Sequence, residues 1–403
     1  MNQVIIIGAG PAGAYLSLIL SQRNIPVILI ERRKSFDREF RGEILMPSGL
    51  EALRYLGIDE KLDQVSSHLP GHMKFFLNKK KIVEINLKEF LGAQPLKAIS
   101  QVELLETLVR ECQQHPCFKF YRGASVKSLI KKDNRVRGVH VLLDNGSKKE
   151  IYADLVIGAD GRNSIVRRQC DLTPYEYNTP MDIVWCKLPK QEDWHGVSAY
   201  AGQGNLLIAY QTWDDQLQLG WVILKNQFKD LREQGIDAWV ELMADHVDPV
   251  FGQHLRQNKS SMSNQFFLNS VSDCVERWSV PGAMVIGDAA HTMSPVGGQG
   301  LNIAMRDAIV SANYLVPIFK KDTLYLKDLD EAIKQIEVDR MKEVRPIQYK
   351  QSIPPKIILN QTLLGSLARR TIALLIKLPF VARVAGKNNN DFLYGKTKIE
   401  LTV

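Results

Sequence analysis

The hydrophobic pattern of the chain opens with two short apolar runs, Val4–Ile7 and Val27–Ile30. Apolar runs of this length, rich in β-branched residues, are typical of strands that are buried in a parallel sheet. Between them, Gly8–Gly13 has the spacing G-x-G-x-x-G, and Pro11 suits the first turn of a helix because its missing N–H has no helical partner there. The pattern therefore predicts a strand, a tight turn, a helix and a second strand.

This first unit has the features of a dinucleotide-binding site. Its glycines allow the backbone to approach a pyrophosphate, which then lies at the positive end of the helix. Glu31 ends the second strand, where a carboxylate bonds the ribose hydroxyls of an adenosine. Because that carboxylate repels a ribose 2′-phosphate, FAD or NAD fits better than NADPH, although Arg32 and Arg33 leave the question open.

The pattern changes twice in the middle of the chain. An amphipathic helix is predicted to begin at Ser100, with Glu103 completing a capping box, and two apolar runs around Asp144–Gly146 predict a hairpin. From residue 176 to residue 274, apolar and polar positions alternate and Trp, Tyr and Gln are frequent, which predicts an antiparallel sheet. A substrate platform and an ordinary α+β insertion explain that sheet equally well.

A second glycine-rich segment follows the apolar run Met284–Ile286. It reads GDAAH, then Pro295, then GGQGLN. This segment predicts a strand, a tight turn and the start of a helix, with the carboxylate of Asp288 at the end of the strand. Because it too is shaped for a nucleotide, the two glycine-rich segments together predict one large cofactor that is held from both ends.

The composition is that of a globular protein of 403 residues, 45% hydrophobic and 24% charged. The five cysteines form no C-x-x-C pair and are odd in number, which argues for free thiols in a reducing compartment and against a disulfide framework or a metal site. No run has the flanks of a signal peptide or the length of a membrane span. With a moderate net charge of +8 and no nucleic-acid module, we expect a cytoplasmic protein that binds no nucleic acid.

The tail from Val344 to Asn390 contains neither Asp nor Glu. Its core, residues 363–385, mixes apolar residues with Arg and Lys and is predicted to be helical. One interpretation is a helical arm that packs across the cofactor domain. The other is a basic amphipathic segment that contacts an anionic membrane surface, which would make the protein peripheral to the membrane.

Three motifs stand in order along the chain: Gly8–Gly13 with Glu31, then Gly158–Gly161, then Gly287–Asn302. Together they resemble the class A flavoprotein aromatic monooxygenases, the para-hydroxybenzoate hydroxylase-like family, over most of residues 1–315. We therefore predict an α/β fold: a Rossmann-like FAD-binding domain with an inserted, mostly antiparallel β-sheet substrate domain and a C-terminal helical arm. The predicted ranges are 1–71, 100–175 and 275–345 for the FAD-binding domain, 72–99 and 176–274 for the sheet domain, and 346–403 for the arm.

The resemblance also implies which residues hold FAD. The ADP half would lie against Gly8, Gly10, Pro11, Ala12, Gly13, Glu31 and Arg32. Arg41 would contact the phosphate and ribityl side, Gln101 the flavin linker, and Val126 the adenine through its backbone. Asp160 would serve FAD and a transiently bound pyridine nucleotide, Asp288 the ribityl hydroxyls, and the backbone N–H groups of Gly298, Gln299, Gly300, Leu301 and Asn302 the pyrimidine edge of the flavin.

The reaction implied by the resemblance uses NADPH or NADH to reduce FAD. O2 then forms a flavin C4a-hydroperoxide, which hydroxylates a planar aromatic or quinone-like small molecule. A helix N-terminus aimed at the ring would stabilise the negative charge of reduced flavin. Pro295 is expected beside the reacting face, with its carbonyl bonding the peroxy group. For His291 two roles stay open, holding the loop and transferring a proton.

Other functions fit the same motifs. A prenyl-lipid reductase of the same superfamily suits the basic apolar tail, a flavin-dependent halogenase is partly indicated by Gly220–Leu224, and a flavin-bound scaffold without turnover is a third alternative. The substrate pocket is predicted between residues 293–298 and four aromatic residues of the inserted sheet: Trp185, Tyr200, Tyr210 and Trp221. Which of the four face the pocket depends on strand register, because a slip of one residue reverses every assignment.

Overall fold

The computed structural model describes residues 2–37, 43–91, 96–177, 179–263, 265–376 and 390–403. Its strands are β1 (Val4–Ile7), β2 (Val27–Glu31), β3 (Ile44–Leu45), β4 (Ser67–His68), β5 (His72–Leu77), β6 (Lys80–Asn86), β7 (Lys97–Ile99), β8 (Phe118–Arg122), β9 (Ser125–Lys132), β10 (Arg135–Leu142), β11 (Lys148–Tyr152), β12 (Leu155–Gly158), β13 (Pro174–Tyr177), β14 (Met181–Pro189), β15 (Val197–Gly202), β16 (Asn205–Gln211), β17 (Gln216–Leu224), β18 (Phe266–Leu268), β19 (Ser272–Val275), β20 (Ser279–Val280), β21 (Ala283–Val285) and β22 (His291–Thr292).

Its helices are α1 (Pro11–Gln22), α2 (Pro47–Arg54), α3 (Asp59–Leu62), α4 (Leu87–Leu91), α5 (Gln101–Cys112), α6 (Ile165–Gln169), α7 (Phe228–Ala244), α8 (Pro249–Gln257), α9 (Gly300–Phe319), α10 (Leu326–Gln351), α11 (Ile353–Ile358), α12 (Leu363–Ile376) and α13 (Asn390–Tyr394). Short 3₁₀ turns cover Lys259–Ser263, Gly287–Ala289 and Val296–Gly298.

A six-stranded sheet in the order β20-β21-β12-β1-β2-β8 carries the first unit. Its neighbouring strands are parallel except for β20 and β21. The side chains of β1 alternate between two layers: Val4 and Ile6 pack against α1, α5 and α9, whereas Ile5 and Ile7 pack against the three-stranded sheet β11-β10-β9. The sheet is therefore buried on both faces, as its apolar strands predict.

A seven-stranded sheet in the order β18-β14-β17-β16-β15-β5-β6 forms the second unit. Its neighbours are antiparallel, except that β15 and β5 run parallel. Because side chains alternate along a strand, this sheet has two faces with different neighbours. On one side of the sheet, which we call the far face, Val184, Leu207 and Trp221 pack against α7 and α8. The opposite side, which we call the near face, carries Ile183, Tyr210 and Val222.

The predicted fold class is confirmed, with local differences. The hairpin around Asp144–Gly146 forms between β10 and β11. Ser100 caps α5 by accepting the N–H of Glu103 at 3.3 Å, but the Glu103 carboxylate accepts the N–H of Ser66 at 2.8 Å, so the capping box is not closed. The helices α7 and α8 were not placed from the sequence, since residues 176–274 were predicted to be mostly antiparallel sheet, with an α+β insertion as the open alternative.

The C-terminal part of the chain folds back over the first unit. The long helices α9 and α10 pack against each other. The segment after α13 bonds Asn313 of α9 and Glu343 of α10. The Tyr394 hydroxyl donates to the carbonyl of Leu91 at 3.2 Å, and Arg23 Nε donates to a terminal oxygen of Val403 at 3.1 Å. The C-terminal segment, residues 390–403, is therefore fixed to elements from the start of the chain.

Candidate active site

The three sequence motifs meet at one edge of the six-stranded sheet. The first motif follows β1, the second follows β12 and the third, Gly287–Asn302, follows β21. These three strands are parallel neighbours, so their carboxyl ends lie side by side. Ligands of open α/β sheets bind at this edge. The topology thus joins segments that lie almost three hundred residues apart into one site.

The first glycine turn forms an open cradle at the N-terminus of α1. A Cβ atom at Gly8 would lie 2.4 Å from the carbonyl oxygen of Ala159, so the turn packs directly on the end of β12. At Gly10, by contrast, a Cβ atom would meet no atom within 4 Å. No described side chain caps α1, which begins at Pro11, and its first N–H groups are available to an anion. The turn therefore fits the pyrophosphate of a dinucleotide.

Glu31 ends β2 and is almost fully buried. Its carboxylate accepts the backbone N–H of Ala9 at 2.9 Å and that of Arg33 at 2.9 Å. These bonds hold the acid against the glycine turn, where the adenosine ribose is expected. The backbone carbonyl of Glu31 also accepts the N–H of Ala124 at 2.9 Å, which brings the start of β9, with Val126, to the same place.

Asp160 lies in the turn between β12 and α6. Its Oδ2 accepts the N–H of Ile165 at 2.7 Å, whereas its Oδ1 is buried and has no hydrogen-bond partner in the described part of the chain. Burial raises the pKa of Asp160 above its ordinary value, although the bond from Ile165 favours the charged form. Two residues on, Arg162 places its Nε 3.6 Å from Oδ2 of Asp288, which connects the second motif with the third.

The third motif ends in a tight turn that leads into α9. The N–H of Gly298 donates to the carbonyl of Pro295 at 3.1 Å, so these two groups are paired with each other. The helix begins at Gly300, and no described side chain caps it. The N–H groups from Gly300 to Asn302 are therefore the donors that this turn offers to a flavin ring, and the helix dipole adds positive potential there.

Two side chains of the third motif hold the turn in place. Oδ1 of the buried Asn302 accepts the N–H of Met46 at 2.9 Å, and its Nδ2 donates to the carbonyl of Ile44 at 3.3 Å. Gln299 donates to the carbonyl of Phe392 at 2.6 Å. Asn302 thus ties the turn to β3, and Gln299 ties it to α13. Only the backbone of these two residues had been assigned a role from the sequence.

His291 lies inside a buried ion network. Its Nε2 lies 2.7 Å from Oδ2 of Asp307, whose Oδ1 accepts a bond from Arg340 Nε at 2.7 Å. Arg340 and Arg306 both pair with Glu343. Burial alone would raise the pKa of Asp307, but His291 and Arg340 hold it below its ordinary value. Because His291 is only 1% exposed, these contacts favour its role in holding the loop, and proton transfer by it stays a prediction.

The ion network connects the third motif with the C-terminal segment. The N–H of Gly287 donates to Asp307 at 2.9 Å, and the N–H of Lys396 donates to Glu343 at 2.9 Å. The ring of Phe392 covers Gly297, where a Cβ atom would lie 3.1 Å from the ring. Residues 390–397 therefore lie over the third motif and stabilise its turns.

The near face of the seven-stranded sheet meets the third motif. Val296, from the turn before α9, and Ile44, from β3, pack on this face together with Leu359, which follows α11. The inserted sheet and the cofactor motif therefore share one apolar boundary.

The strand register places two of the four aromatic residues that were predicted to line the pocket on each face of the sheet. Trp185 and Tyr210 lie on the near face with their ring centroids 6.5 Å apart. Tyr200 and Trp221 lie on the far face, against α7 and α8. The near face thus presents two of the four aromatic side chains to the cofactor motif.

A group of polar side chains lies at one end of the near face. Lys187, Gln218 and Tyr210 are cross-strand neighbours on β14, β17 and β16. The turn after β16 and the residue before β3 complete the group. We call this group the polar corner: Glu43, Lys187, Tyr210, Trp213, Asp214 and Gln218.

Glu43 is the most perturbed acid of the polar corner. Its Oε1 accepts the indole N–H of Trp213 at 3.3 Å, and its Oε2 is buried with no hydrogen-bond partner in the described part of the chain. Burial raises the pKa of Glu43 to about 7, although Lys187 and the Trp213 bond favour the charged form. The carboxylate therefore changes charge near neutral pH. The sequence analysis missed this residue, although it follows Arg41 by only two positions.

The remaining predicted cofactor residues are placed as follows. Arg32 is exposed beside Glu31, and Gln101 is the first residue of α5. Arg41 lies outside the described residues, so its predicted contact with FAD stays a prediction. Pro11 and Ala12 form the first turn of α1, with Ala12 buried.

Comparisons with known proteins agree with this architecture. A family model described as "FAD binding domain" matches residues 1–322. The 6-methylpretetramide 4-monooxygenase of Streptomyces rimosus is 31% identical over 357 residues, which cover 87% of this chain and 84% of that protein. The squalene monooxygenase of Mus musculus is 24% identical over 312 residues; the match covers 76% of this chain and about half, 53%, of the mouse protein.

The fold has close counterparts among solved structures. The p-nitrophenol 4-monooxygenase of Pseudomonas putida superimposes with a TM-score of 0.79 at 16% identity, over 99% of this chain and 100% of that one. The HpxO protein of Klebsiella pneumoniae, solved with FAD and uric acid, superimposes with a TM-score of 0.76 at 19% identity, over 98% and 97% of the two chains. At these identities the likeness concerns the fold.

Proposed function

Because the chain belongs to the FAD-binding-domain family of class A flavoprotein monooxygenases, we propose that it is a single-component enzyme that uses NAD(P)H and O2 to hydroxylate a planar aromatic or quinone-like small molecule. The relative from Streptomyces rimosus, a 6-methylpretetramide 4-monooxygenase by name, supports an aromatic substrate. The nicotinamide nucleotide would bind transiently, since no second complete dinucleotide fingerprint occurs in the sequence.

The residues that are present fit FAD. The open cradle at Gly10 and the uncapped N-terminus of α1 suit its pyrophosphate, and Glu31 suits its adenosine ribose. Asp288, about one third exposed beside Arg162, suits the ribityl hydroxyls. When bound, FAD would supply the redox chemistry that activates O2 and makes one oxygen atom available to the substrate.

The protein's own contribution is to position and enclose the reacting groups. The first N–H groups of α9, from Gly300 onward, would stabilise negative charge on the reduced ring. The near face would hold a planar substrate against that ring, with Trp185 as an apolar contact, and would exclude water from the reaction. Pro295 keeps its predicted place beside the reacting face as part of this proposal.

One observation carries the proposal. Val296, inside the cofactor motif, packs on the same sheet face as Trp185 and Tyr210. A flavin held at the start of α9 would therefore have an aromatic-lined, largely apolar face next to it, which suits a flat apolar ring better than a charged or sugar-like substrate.

The proposal is tested with purified protein that retains its yellow FAD. NADH and NADPH are supplied separately with a panel of phenols, naphthols and quinones while oxygen uptake is followed, and products are analysed by mass spectrometry. We expect uptake that the substrate stimulates and a product that is heavier by one oxygen atom. A panel that yields no such product, with FAD bound and reducible, would contradict the proposal.

The same assay separates the alternative functions. A prenyl-lipid reductase would reduce a double bond under anaerobic conditions and incorporate no oxygen. A halogenase would require halide; the partial motif Gly220–Leu224 places Trp221 on the far face, away from the cofactor motif. A scaffold without turnover would leave the flavin oxidised with either nucleotide.

We also propose that the C-terminal arm contacts an anionic membrane surface. Leu363, Leu364 and Leu367 of α12 are 91%, 78% and 61% exposed, and Arg370 lies exposed on the same helix. Arg369 fixes this helix by donating to the carbonyl of Ile357, at the end of α11, at 3.1 Å. Among the described residues, no helix is long and apolar enough to cross a bilayer. Apolar residues with basic neighbours suit shallow binding at the lipid surface.

Vesicle flotation tests this contact. We expect the protein to float with phosphatidylglycerol vesicles, and less with pure phosphatidylcholine, because residues 344–390 of the arm include basic and no acidic residues. Replacing Leu363, Leu364 and Leu367 by serine should abolish flotation, whereas Val250→Ser, at a 71% exposed position on α8, should not. Equal flotation of both variants would contradict a role for α12.

A further inference from the structure

We propose that the polar corner is a subsite for an ionisable hydroxyl group of the aromatic substrate, a phenol or an enol, and that Glu43 accepts the proton of that hydroxyl. This inference rests on the proposed function and deepens it. It makes Glu43 a catalytic residue, a role to which no sequence motif points.

The carboxylate of Glu43 has one open acceptor position. Oε1 is held by the indole N–H of Trp213 at 3.3 Å, whereas Oε2 is buried and lacks a partner in the described part of the chain. A buried acceptor without a donor is costly. An O–H group of a bound ring would satisfy it. Gln218 adds a second open acceptor, since its buried Oε1 also lacks a partner while its Nε2 donates to the carbonyl of Cys186 at 3.0 Å.

Backbone contacts hold Glu43 between the near face and the third motif. The carbonyl of Glu43 accepts the N–H of Ile99 at 2.8 Å. The next residue, Ile44, packs on the near face beside Val296, and its carbonyl accepts a bond from Asn302 at 3.3 Å. A ring lying on the near face next to the cofactor motif would therefore have its edge toward Glu43.

The neighbouring groups allow Glu43 to exchange a proton near neutral pH. The titratable groups that face it are Lys187 on β14, Tyr210 on β16 and Asp214 in the following turn. Lys187 is paired with Asp214 at 3.1 Å and lies 5.6 Å from the ring centre of Trp213. Burial raises the pKa of Tyr210, and the charge of Glu43 raises it further, so Tyr210 stays neutral. Glu43 is then the base of the group.

The proton-transfer step is balanced without any additional reactant. The O–H bond of the substrate breaks, the electron pair stays on the substrate oxygen, and an O–H bond forms on Glu43. The added negative charge raises the electron density of the ring, which favours attack by the ring on the electrophilic oxygen that the flavin supplies. The proton then returns to solvent past Lys187 and Asp214, which are both partly exposed.

Turnover by Glu43→Gln is the first test, with a phenol that the oxygen-incorporation screen has identified as a substrate. General-base catalysis is worth about 100-fold or more, so we expect the turnover rate to fall by about that factor while FAD content and reduction by NAD(P)H stay unchanged. The exposed Glu276→Gln is the matched control and should behave as the wild type. Wild-type turnover should rise with pH through about 7, the pKa of Glu43, and the variant should lose this dependence.

Binding provides a second test that does not need turnover. The probes are 1-naphthol, which stays un-ionised around neutral pH, and 1-methoxynaphthalene, which has no O–H; binding is followed by the change in flavin absorbance. The wild type should bind 1-naphthol more tightly as pH rises through about 7, because ionised Glu43 is the stronger acceptor. Binding of 1-methoxynaphthalene, and of either probe to Glu43→Gln, should not depend on pH in this range. Absence of 1-naphthol binding to the wild type would overturn the subsite.

A second variant keeps the inference testable if Glu43→Gln fails to retain FAD. Trp213→Phe removes the indole N–H that favours the charged carboxylate, so it should move the pH dependence of 1-naphthol binding upward while leaving the base in place. An unmoved profile would overturn the inference. Predicted binding without oxygen incorporation would contradict the proposed function alone, whereas hydroxylation that Glu43→Gln leaves intact would contradict only this inference.

Discussion

The two faces of the seven-stranded sheet arise from the same alternating strands but have different neighbours. On the far face, the large side chain of Trp221 is buried under the protein's own helices α7 and α8, and Phe251 of α8 packs in the same cluster. The near face meets the cofactor motif through Val296, and one end of it carries the charged pair Lys187 and Asp214 beside a buried acid. A shift of one residue in any strand would exchange these roles.

Burial alone therefore does not identify a functional residue in this sheet. Trp185 and Trp221 are both buried and both aromatic, yet only Trp185 faces the cofactor motif. Substitutions on the far face are expected to lower stability, whereas substitutions on the near face are expected to change binding and catalysis without such a loss of stability. Four predictions test this contrast.

The largest effect is expected for Trp221→Ala. The side chain is 1% exposed in the centre of the far-face core, and truncation of a buried Trp leaves a cavity that costs about 3–5 kcal/mol. Chemical denaturation should show this loss, and the protein that remains folded should keep its affinity for 1-naphthol. A weakened affinity with unchanged stability would place Trp221 in the binding site and contradict the assignment of faces.

A gain of stability is expected for Glu43→Gln on the near face. The pKa of Glu43 is raised from 4.5 to about 7 in the folded protein, so ionising this acid destabilises the fold. The cost is absent below pH 4.5, grows between the two values and is complete above about 7. The variant should therefore be more stable than the wild type by about 1–3 kcal/mol at alkaline pH, and by little in acid. Equal stability of the variant and the wild type at alkaline pH would contradict a raised pKa of Glu43 in the folded protein.

A smaller effect, on binding, is expected for Trp185→Ala. Its indole lies over Gly220, where a Cβ atom would come within 2.6 Å of the ring, and it forms the broad apolar surface of the near face. Its removal should weaken 1-naphthol binding about 10-fold, or about 1.4 kcal/mol, through lost contact with the flat ligand. Trp185→Phe should recover part of the affinity. Unchanged binding by both variants would place the ligand elsewhere.

The smallest effect is expected from a pair of tyrosines. The Tyr200 hydroxyl on the far face donates to Asp248 at 3.1 Å, so Tyr200→Phe should cost about 0.5–1.5 kcal/mol of stability and leave turnover unchanged. Tyr210→Phe, at the polar corner, should instead move the pH profile of turnover upward, because loss of the hydroxyl makes the surroundings of the buried Glu43 less polar. Thermal melts and pH profiles of turnover are measured for both variants. The same loss of stability and the same pH profile in both would contradict the distinction between the two faces.

The parts of the fold that were predicted from the sequence are those fixed by neighbouring residues. The glycine turn between β1 and α1, the acid at the end of β2 and the hairpin around Asp144–Gly146 each depend on local backbone requirements. The fold class followed from the order of the motifs and is confirmed. The predicted domain ranges and cofactor contacts remain predictions.

The missed features depend on long-range packing. Helix α7 contains Gly235 with φ +82°, and α8 begins at Pro249, so the helical pattern of residues 228–257 is interrupted within a range that was predicted to be mostly sheet. The polar corner could not be predicted for a different reason, since Glu43 and its partner Trp213 are 170 residues apart in the sequence. The C-terminal segment was likewise not expected to bond the third motif through Gln299 and Glu343.

The central claim is that a flavin at the start of α9 delivers oxygen to a ring on the near face. Its most direct test is a single turnover in isotopically labelled O2, using FAD-containing protein that has been reduced with NAD(P)H in the presence of an aromatic substrate. We predict one labelled oxygen atom in each hydroxylated product molecule. Reoxidation of the flavin with no label in any product, across the whole panel of ring substrates, would contradict the claim.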